Sequence, residues 1–197
     1  MPRFDIRDYR RNELIDAAIA SIAARGLTDT TLATIASEAG VSPALVNHYF
    51  EGKEALLEAT LRRITRDLAR TIAELTPPGA TPRRRLEAII DGCLMPEHLS
   101  AGPMAAWRAF WTELPSRPRL AALQRLVNRR FRSNMRWALR RLLPEAEVER
   151  AYLGLFAMID GFWVRQFIEP GSFEMATARQ VCRDYLDRVV GRAVDEA

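Results

Sequence analysis

Ser42, Ala44, Leu45, Asn47 and His48 fall within seven residues and share one side of a short helix, opposite Val46 and Phe50. This set suits recognition rather than bond breaking. An amide such as Asn47 can hydrogen-bond a base edge, and Leu45 can pack on a thymine methyl group. Just past the helix, Lys53 offers a flexible ammonium that can meet a phosphate. Catalytic alternatives find little support. The two histidines, His48 and His98, belong to no metal-ligand or nucleophile motif, and no Gly-rich phosphate loop is present. Cys93 and Cys182 are far apart, show no metal-type spacing, and read as reduced packing thiols. We therefore expect no catalytic residue, no metal and no cofactor.

The elements that must hold the reading residues are legible around them. Leu32, Ile35, Ala36 and Ala39 recur at helical spacing, and Gly40 provides the left-handed conformation that ends a helix cheaply. Val41 can plug the turn. Ser42 followed by Pro43 restarts a helix, because the hydroxyl caps free N–H groups and proline needs no donor at the first helical position. The second helix is then about two turns long. Two short helices joined by a tight turn have the geometry of a DNA-reading helix-turn-helix.

Helical patterns fill the remainder. One runs from about Tyr9 to Ala24, with Ile15, Ala18, Ile19 and Ile22 on its apolar face, and stops at Gly26; Thr30 or Thr31 caps the next. A long amphipathic helix from about Lys53 to Leu75 carries Leu57, Leu61, Ile64, Leu68 and Ile72. The Thr76-Pro77-Pro78-Gly79 cluster then marks a boundary. Further helices are expected from Thr81-Pro82 to Leu94, Gly102-Pro103 to Leu114, Arg117-Pro118 to Leu143, Pro144 to about Ile168, and Phe173 to Val190. No segment alternates with the period of a half-buried strand. The expected fold is all-α: a helix-turn-helix domain over residues 1–52, a linking helix over 53–76, and a larger helical domain over 77–197.

Composition sets wider bounds. With 48% hydrophobic and 27% charged residues, the 197-residue chain reads as an ordinary globular protein. No apolar run approaches the roughly 20 residues that span a bilayer, and the N-terminus lacks a signal-peptide pattern, so a cytoplasmic location and no membrane partner are expected. Charge is unevenly placed: residues 1–70 carry ten basic and ten acidic residues, whereas residues 83–143 carry thirteen arginines against four acids. Bulk charge therefore does not locate the DNA-reading segment. Arg3, Arg7, Arg10 and Arg11, which lead into the first helix, are the local basic group beside it. The stripe Arg125, Arg129, Arg132, Arg136 and Arg140 reads first as a solvated helix face and second as a basic patch.

The pattern Thr-Leu-x-x-Ile-Ala-x-x-Ala-Gly-Val-Ser at residues 31–42, His48-Tyr49-Phe50 with Lys53, and a larger helical domain together resemble the TetR family of transcriptional repressors. The similarity is greatest to its choline-responsive BetI type. It extends through Tyr9-Arg10-Arg11, Leu56-Leu57-Glu58-Ala59-Thr60, Ala106-Trp107 with Ala109-Phe110-Trp111, Arg129-Arg130 with Ser133-Asn134, and Ile159-Asp160-Gly161-Phe162-Trp163-Val164-Arg165. The resemblance implies a homodimer that reads a palindromic operator in double-stranded DNA and is released by a small-molecule effector. It also implies that Thr31, His48, Tyr49 and Lys53 hold phosphates or stand near the groove; by its residue type alone, Tyr49 reads equally as a core aromatic. Pro43-Ala44-Leu45-Val46-Asn47 departs from the reading sequence of that type, so no operator is implied.

The larger domain carries the effector candidates. Aromatic faces with a carboxylate suit a quaternary ammonium, a cation that donates no hydrogen bonds. Trp107, Phe110, Trp111 and Trp163 supply aromatic groups, and Asp160 is an acid inside the apolar run Leu155-Phe156-Ala157-Met158-Ile159, where burial would demand a partner. Asp91, Glu97 and Glu113 are weaker anionic candidates. Aromatic spacing of this kind also builds plain helical cores. A relative sensing another cationic or amphipathic compound, in control of an efflux or metabolic operon, is the alternative reading. A helical DNA-associated protein without an effector is a third. Gly154, Ala157 and Gly161 form a small-residue strip that, with Val181, Tyr185 and Val189, suits either a four-helix dimer contact or intramolecular packing.

Overall fold

Capping chemistry and apolar periodicity between them account for the helix boundaries in the computed structural model, which describes residues 6–95 and 101–195, with side chains to residue 191 except that of Ala101. Arg3, Glu97 and His98 lie outside the described residues. In chain order the helices are α1 (Ile6–Asp29), α2 (Leu32–Glu38), α3 (Pro43–Tyr49), α4 (Gly52–Glu74), α5 (Pro82–Cys93), α6 (Ala101–Glu113), α7 (Pro118–Leu139), α8 (Glu145–Ile168) and α9 (Met175–Asp195), with a 3-10 turn at Leu114–Ser116. There is no strand among the described residues. The all-α expectation therefore holds. The first helix is interrupted at Gly26 as expected, at φ 79° and ψ 172°, but it resumes to Asp29. The last, expected over Phe173 to Val190, runs Met175–Asp195. The helix expected to reach Leu143 ends at Leu139, because Leu142 and Leu143 both turn back onto the Leu139 carbonyl.

Contacts divide the chain into two compact units, with divisions falling inside α4 and inside α7. The first joins the residues up to Arg66 with α6 and the start of α7 as far as Gln124; the second joins residues from Asp67 through α5 with the remainder of α7, α8 and α9. The reason in the first unit is that α6 packs along α1, which brings a segment from the middle of the sequence into the same body as the helix-turn-helix.

In that first unit, Leu14, Ile15, Ala17, Ala18, Ile35, Ala36, Val46, Phe50 and Leu56 form one core beneath α2 and α3. Removing a side chain such as Ile35 from water contributes roughly 1.5–3 kcal/mol, which fixes the two short helices despite their length. The second unit is built on Leu86, Ile89 and Ile90 of α5, Met135 and Leu139 of α7, Leu155 and Ile159 of α8, and Cys182 and Leu186 of α9, all buried. Gly154 lets α8 and α9 come together: a Cβ there would lie 2.0 Å from the Tyr185 hydroxyl oxygen. The expected small-residue strip is therefore divided. Gly154 serves α8–α9 packing within the chain, while Ala157 and Gly161 remain exposed.

Candidate nucleic-acid interface and effector site

Thr31 and Ser42 determine where the two short helices begin. The Thr31 hydroxyl accepts the Thr34 N–H at 3.1 Å, and the Thr31 N–H donates to the Thr34 hydroxyl at 2.9 Å, closing a reciprocal cap. Gly40 adopts φ 64°, where a side chain is strained, and lets the Val41 N–H reach the Ala36 carbonyl at 2.9 Å. Ser42 then accepts the Leu45 N–H at 3.2 Å with Pro43 opening α3. Val46 is fully buried and Phe50 nearly so, which turns the opposite side of α3 outward.

That outward side carries Ser42, Ala44, Asn47 and His48, all exposed, with Leu45 half-buried beside them. Tyr49 is half-buried, packs against the core and meets the His48 ring edge-on at 5.4 Å between centroids. The core reading of Tyr49 thus describes part of its surroundings. Thr31 is exposed at the start of α2.

Two basic residues are placed differently from the sequence reading. Arg11 is turned inward: it donates from Nη1 to the Tyr49 carbonyl and lies with its guanidinium carbon 4.3 Å from the Phe50 ring centre. It secures the end of α3. Lys53 donates from Nζ to the Leu27 carbonyl at 3.1 Å and the Thr28 carbonyl at 3.2 Å. In this arrangement the ammonium is occupied with the last carbonyls of α1 rather than held out toward a phosphate. Burial, and secondarily the neighbouring Arg117, lower its affinity for a proton. Arg117 itself pairs with Glu54 and, at 3.4 Å, with Glu113, and the Thr28 hydroxyl donates to Glu113 at 3.2 Å. The ends of α1 and α6 and the starts of α4 and α7 are therefore joined by one polar network. Spacing along the chain carries no sign of it, since Thr28 and Glu113, bonded within it, are 85 residues apart.

The effector candidates separate between the units. Trp107 and Phe110 are buried on α6 in the first unit, and Trp107 faces the half-buried Trp111 at 6.0 Å between ring centres. Asp160 and Trp163 belong to α8 in the second. Trp163 is buried and donates its indole N–H to the Cys93 carbonyl at 3.0 Å, so its polar atom already has a structural task. Tyr152, Phe156, Asp160 and Trp163 recur along one side of α8 at helical spacing, with Tyr152 and Phe156 stacked at 5.6 Å and Phe131 of α7 lying 5.7 Å from Phe156. Asp160 is half-buried and has neither a hydrogen bond nor an ion pair among the described residues. Burial alone pushes its carboxyl up to about 6. The Cys93 thiol is held well above its usual range, first by its own burial and then by the charge of Asp160, which places the carboxylate electrically close to it. Of the weaker acids, Asp91 is paired with Arg183 and Arg84, and Glu113 with Arg117.

No helix among the described residues is long and apolar enough to cross a membrane. Comparison with known proteins accounts for both parts of the chain. Residues 14–60 match the tetR family of bacterial regulatory proteins, and residues 82–191 match the C-terminal domain of the BetI-type transcriptional repressor. The chain is 39% identical over 198 residues to the HTH-type transcriptional regulator BetI 1 of Chromohalobacter salexigens, covering 100% of this chain and 98% of the relative. It is 40% identical over 194 residues to BetI of Paraburkholderia phymatum, covering 98% and 99%. Among solved structures, a transcriptional regulator of Pseudomonas aeruginosa PAO1 superimposes with a TM-score of 0.79 at 28% identity, over 96% of this chain and 93% of that one. A regulator from Saccharomonospora viridis, solved in complex with choline, shares the fold with a TM-score of 0.78 at 24% identity, over 91% and 96%. The chain belongs to the TetR family of bacterial transcriptional regulators, a family without enzymatic activity, and carries the C-terminal domain of the BetI-type repressor.

Proposed function

We propose that this regulator represses transcription as a homodimer bound to a palindromic operator, and that choline or a closely similar quaternary ammonium releases it. The α3 surface of Ser42, Ala44, Leu45, Asn47 and His48 enters the major groove, with Thr31 and Tyr49 meeting flanking phosphates. Two such helices must sit roughly 34 Å apart to enter successive grooves, so a small change in their separation breaks register. Lys53 supports this surface by holding the end of α1 against the start of α4. The dimer forms through the outer side of α8, where Leu153, Ala157, Gly161, Val164 and Ile168 leave an exposed, largely apolar strip, together with Val181 of α9.

The observation that carries the effector reading is Asp160. A half-buried carboxylate with no partner among the described residues, on a helix face bearing Phe156 and Trp163, has the composition that holds a cation unable to donate hydrogen bonds. Likeness to BetI regulators over the full chain, at 39% and 40% identity, and a fold shared with a regulator solved in complex with choline support the same reading. The test is calorimetric titration with choline and with 3,3-dimethylbutanol, its neutral isostere. Choline should bind and the alcohol bind far more weakly, and Asp160→Asn should abolish that difference. Equal binding of the two ligands, or choline binding that survives Asp160→Asn unchanged, overturns the reading and favours a neutral amphipathic effector.

A further inference from the structure

Trp137 on α7 is 40% exposed, and two guanidiniums lie on its ring. The guanidinium carbon of Arg141 is 3.8 Å and that of Arg85 is 4.8 Å from the ring centre, so the two positive charges are within about 9 Å of each other. Arg141 is further fixed by donating from Nη1 to the Trp137 carbonyl at 2.7 Å. All three residues belong to the second unit.

Several of the neighbouring arginines are held by carboxylates, while Arg125, Arg129 and Arg130 of α7 have no such partner and stand exposed. On α7, Arg132 pairs with Glu149 and Arg136 with Glu145 and Glu149; just past its end, Arg140 pairs with Glu145. On α5, Arg83 pairs with Glu87 and Asp187, and Arg84 with Glu87 and Asp91. Arg85 and Arg141 have no carboxylate partner among the described residues, although each is flanked in sequence by an arginine that has one. A second observation is independent of charge: the Nε–H of Arg85 is buried without an acceptor. A buried donor left unmatched is costly, and such a group in a folded protein calls for a water or an ion.

We infer that Arg85, Trp137 and Arg141 form a binding site for a multivalent oxyanion, specifically a diphosphate group. The indole holds each guanidinium by its face; apart from Arg141 Nη1, which donates to the Trp137 carbonyl, and the buried Arg85 Nε, the N–H groups have no protein acceptor and suit contact with phosphate oxygens. A single carboxylate neutralises one guanidinium. A diphosphate, with charged oxygens on two phosphorus atoms, engages both through their outer Nη groups, the buried Arg85 Nε lying out of its reach. The site shares no residue with the helix-turn-helix or with the proposed cation site.

The full-length protein should be titrated with sodium pyrophosphate at constant ionic strength, following thermal melting and tryptophan fluorescence, with sodium chloride as the control. Pyrophosphate should raise the melting temperature saturably, and Arg141→Gln should weaken the apparent affinity by about tenfold, as expected for loss of one bidentate charged contact. Arg85→Lys, which keeps the charge and loses the fork, should weaken it as well and secures the test if Arg85→Gln does not fold. Trp137→Phe should remove the fluorescence change while leaving a melting shift. Choline affinity should be unchanged in Arg141→Gln, which separates this site from the effector reading. No saturable effect of pyrophosphate on the parent protein, or an effect equal in parent, Arg141→Gln and Arg85→Lys, would overturn the proposal.

Discussion

The Lys53 ammonium lies 3.1 Å from the Leu27 carbonyl, so the first turn of α4 is tied to the last turn of α1. The carbonyls at a helix end carry partial negative charge and lack intrahelical donors, which is why a cation is stabilising there. This gives Lys53 a structural task distinct from phosphate binding, and the two tasks have different salt signatures.

Lys53→Met should lower the melting temperature, at a cost on the order of 1 kcal/mol after discounting for partial exposure, and should weaken operator binding. The slope of log affinity against log salt should stay as in the parent. Binding isotherms at several salt concentrations check this; a slope smaller by about one ion would instead place Lys53 on a phosphate in the complex.

Asn47→Ala should leave stability nearly unchanged, since the side chain is exposed, and lower affinity for the preferred operator by about 1–3 kcal/mol while affinity for unrelated DNA holds. Val46→Ala, one residue away and fully buried, should show the reverse priority, with about 2 kcal/mol lost from folding. Melting curves and competitive binding on the same preparations distinguish the two.

Asp160 makes an unusual prediction about acidity. Its carboxyl titrates near 6 in the folded chain because burial disfavours the charged form, and nearer the ordinary value of 3.8 when unfolded. The native state therefore holds more proton between those values, and stability attributable to this group falls as pH rises through the window. Asp160→Asn should consequently melt higher than the parent at pH 7.5, with the gain vanishing below pH 4. Choline affinity of the parent should fall as pH drops through about 6, where the carboxylate is lost. Calorimetry at pH 5 and 7.5 measures the second effect directly.

Gly154→Ala should destabilise the second unit, because the new Cβ would stand 2.0 Å from the Tyr185 hydroxyl oxygen. Tyr185→Ala should relieve much of that loss in the double variant, which a thermal double-mutant cycle would record as a favourable coupling. Ala157→Glu lies on the exposed side of the same helix and should leave the monomer folded while dispersing the dimer, read by light scattering.

The helix-turn-helix was legible in the sequence because its determinants are local. A reciprocal cap at Thr31, a left-handed Gly40, the Ser42-Pro43 start and an apolar Val46 act within one or two turns of themselves, and such rules need no knowledge of the rest of the chain. Helical content and the outward side of α3 followed from the same short-range periodicity. The aromatic groups Trp107, Phe110, Trp111 and Trp163 were visible too, although not that Trp163 would be hydrogen-bonded to a backbone carbonyl.

What only the tertiary structure decided were the relationships between helices far apart in the chain. Spacing could not show that α6 packs on α1, that Lys53 and Arg11 spend their donors on backbone carbonyls, or that Gly154 accommodates Tyr185. Nor could it show that Asp160 would be half-buried without a partner among the described residues while Arg132, Arg136 and Arg140 found theirs on α8. The reason is physical: a side chain's type and helix face are properties of its own few neighbours in sequence, whereas its partner depends on which other helix face arrives opposite it.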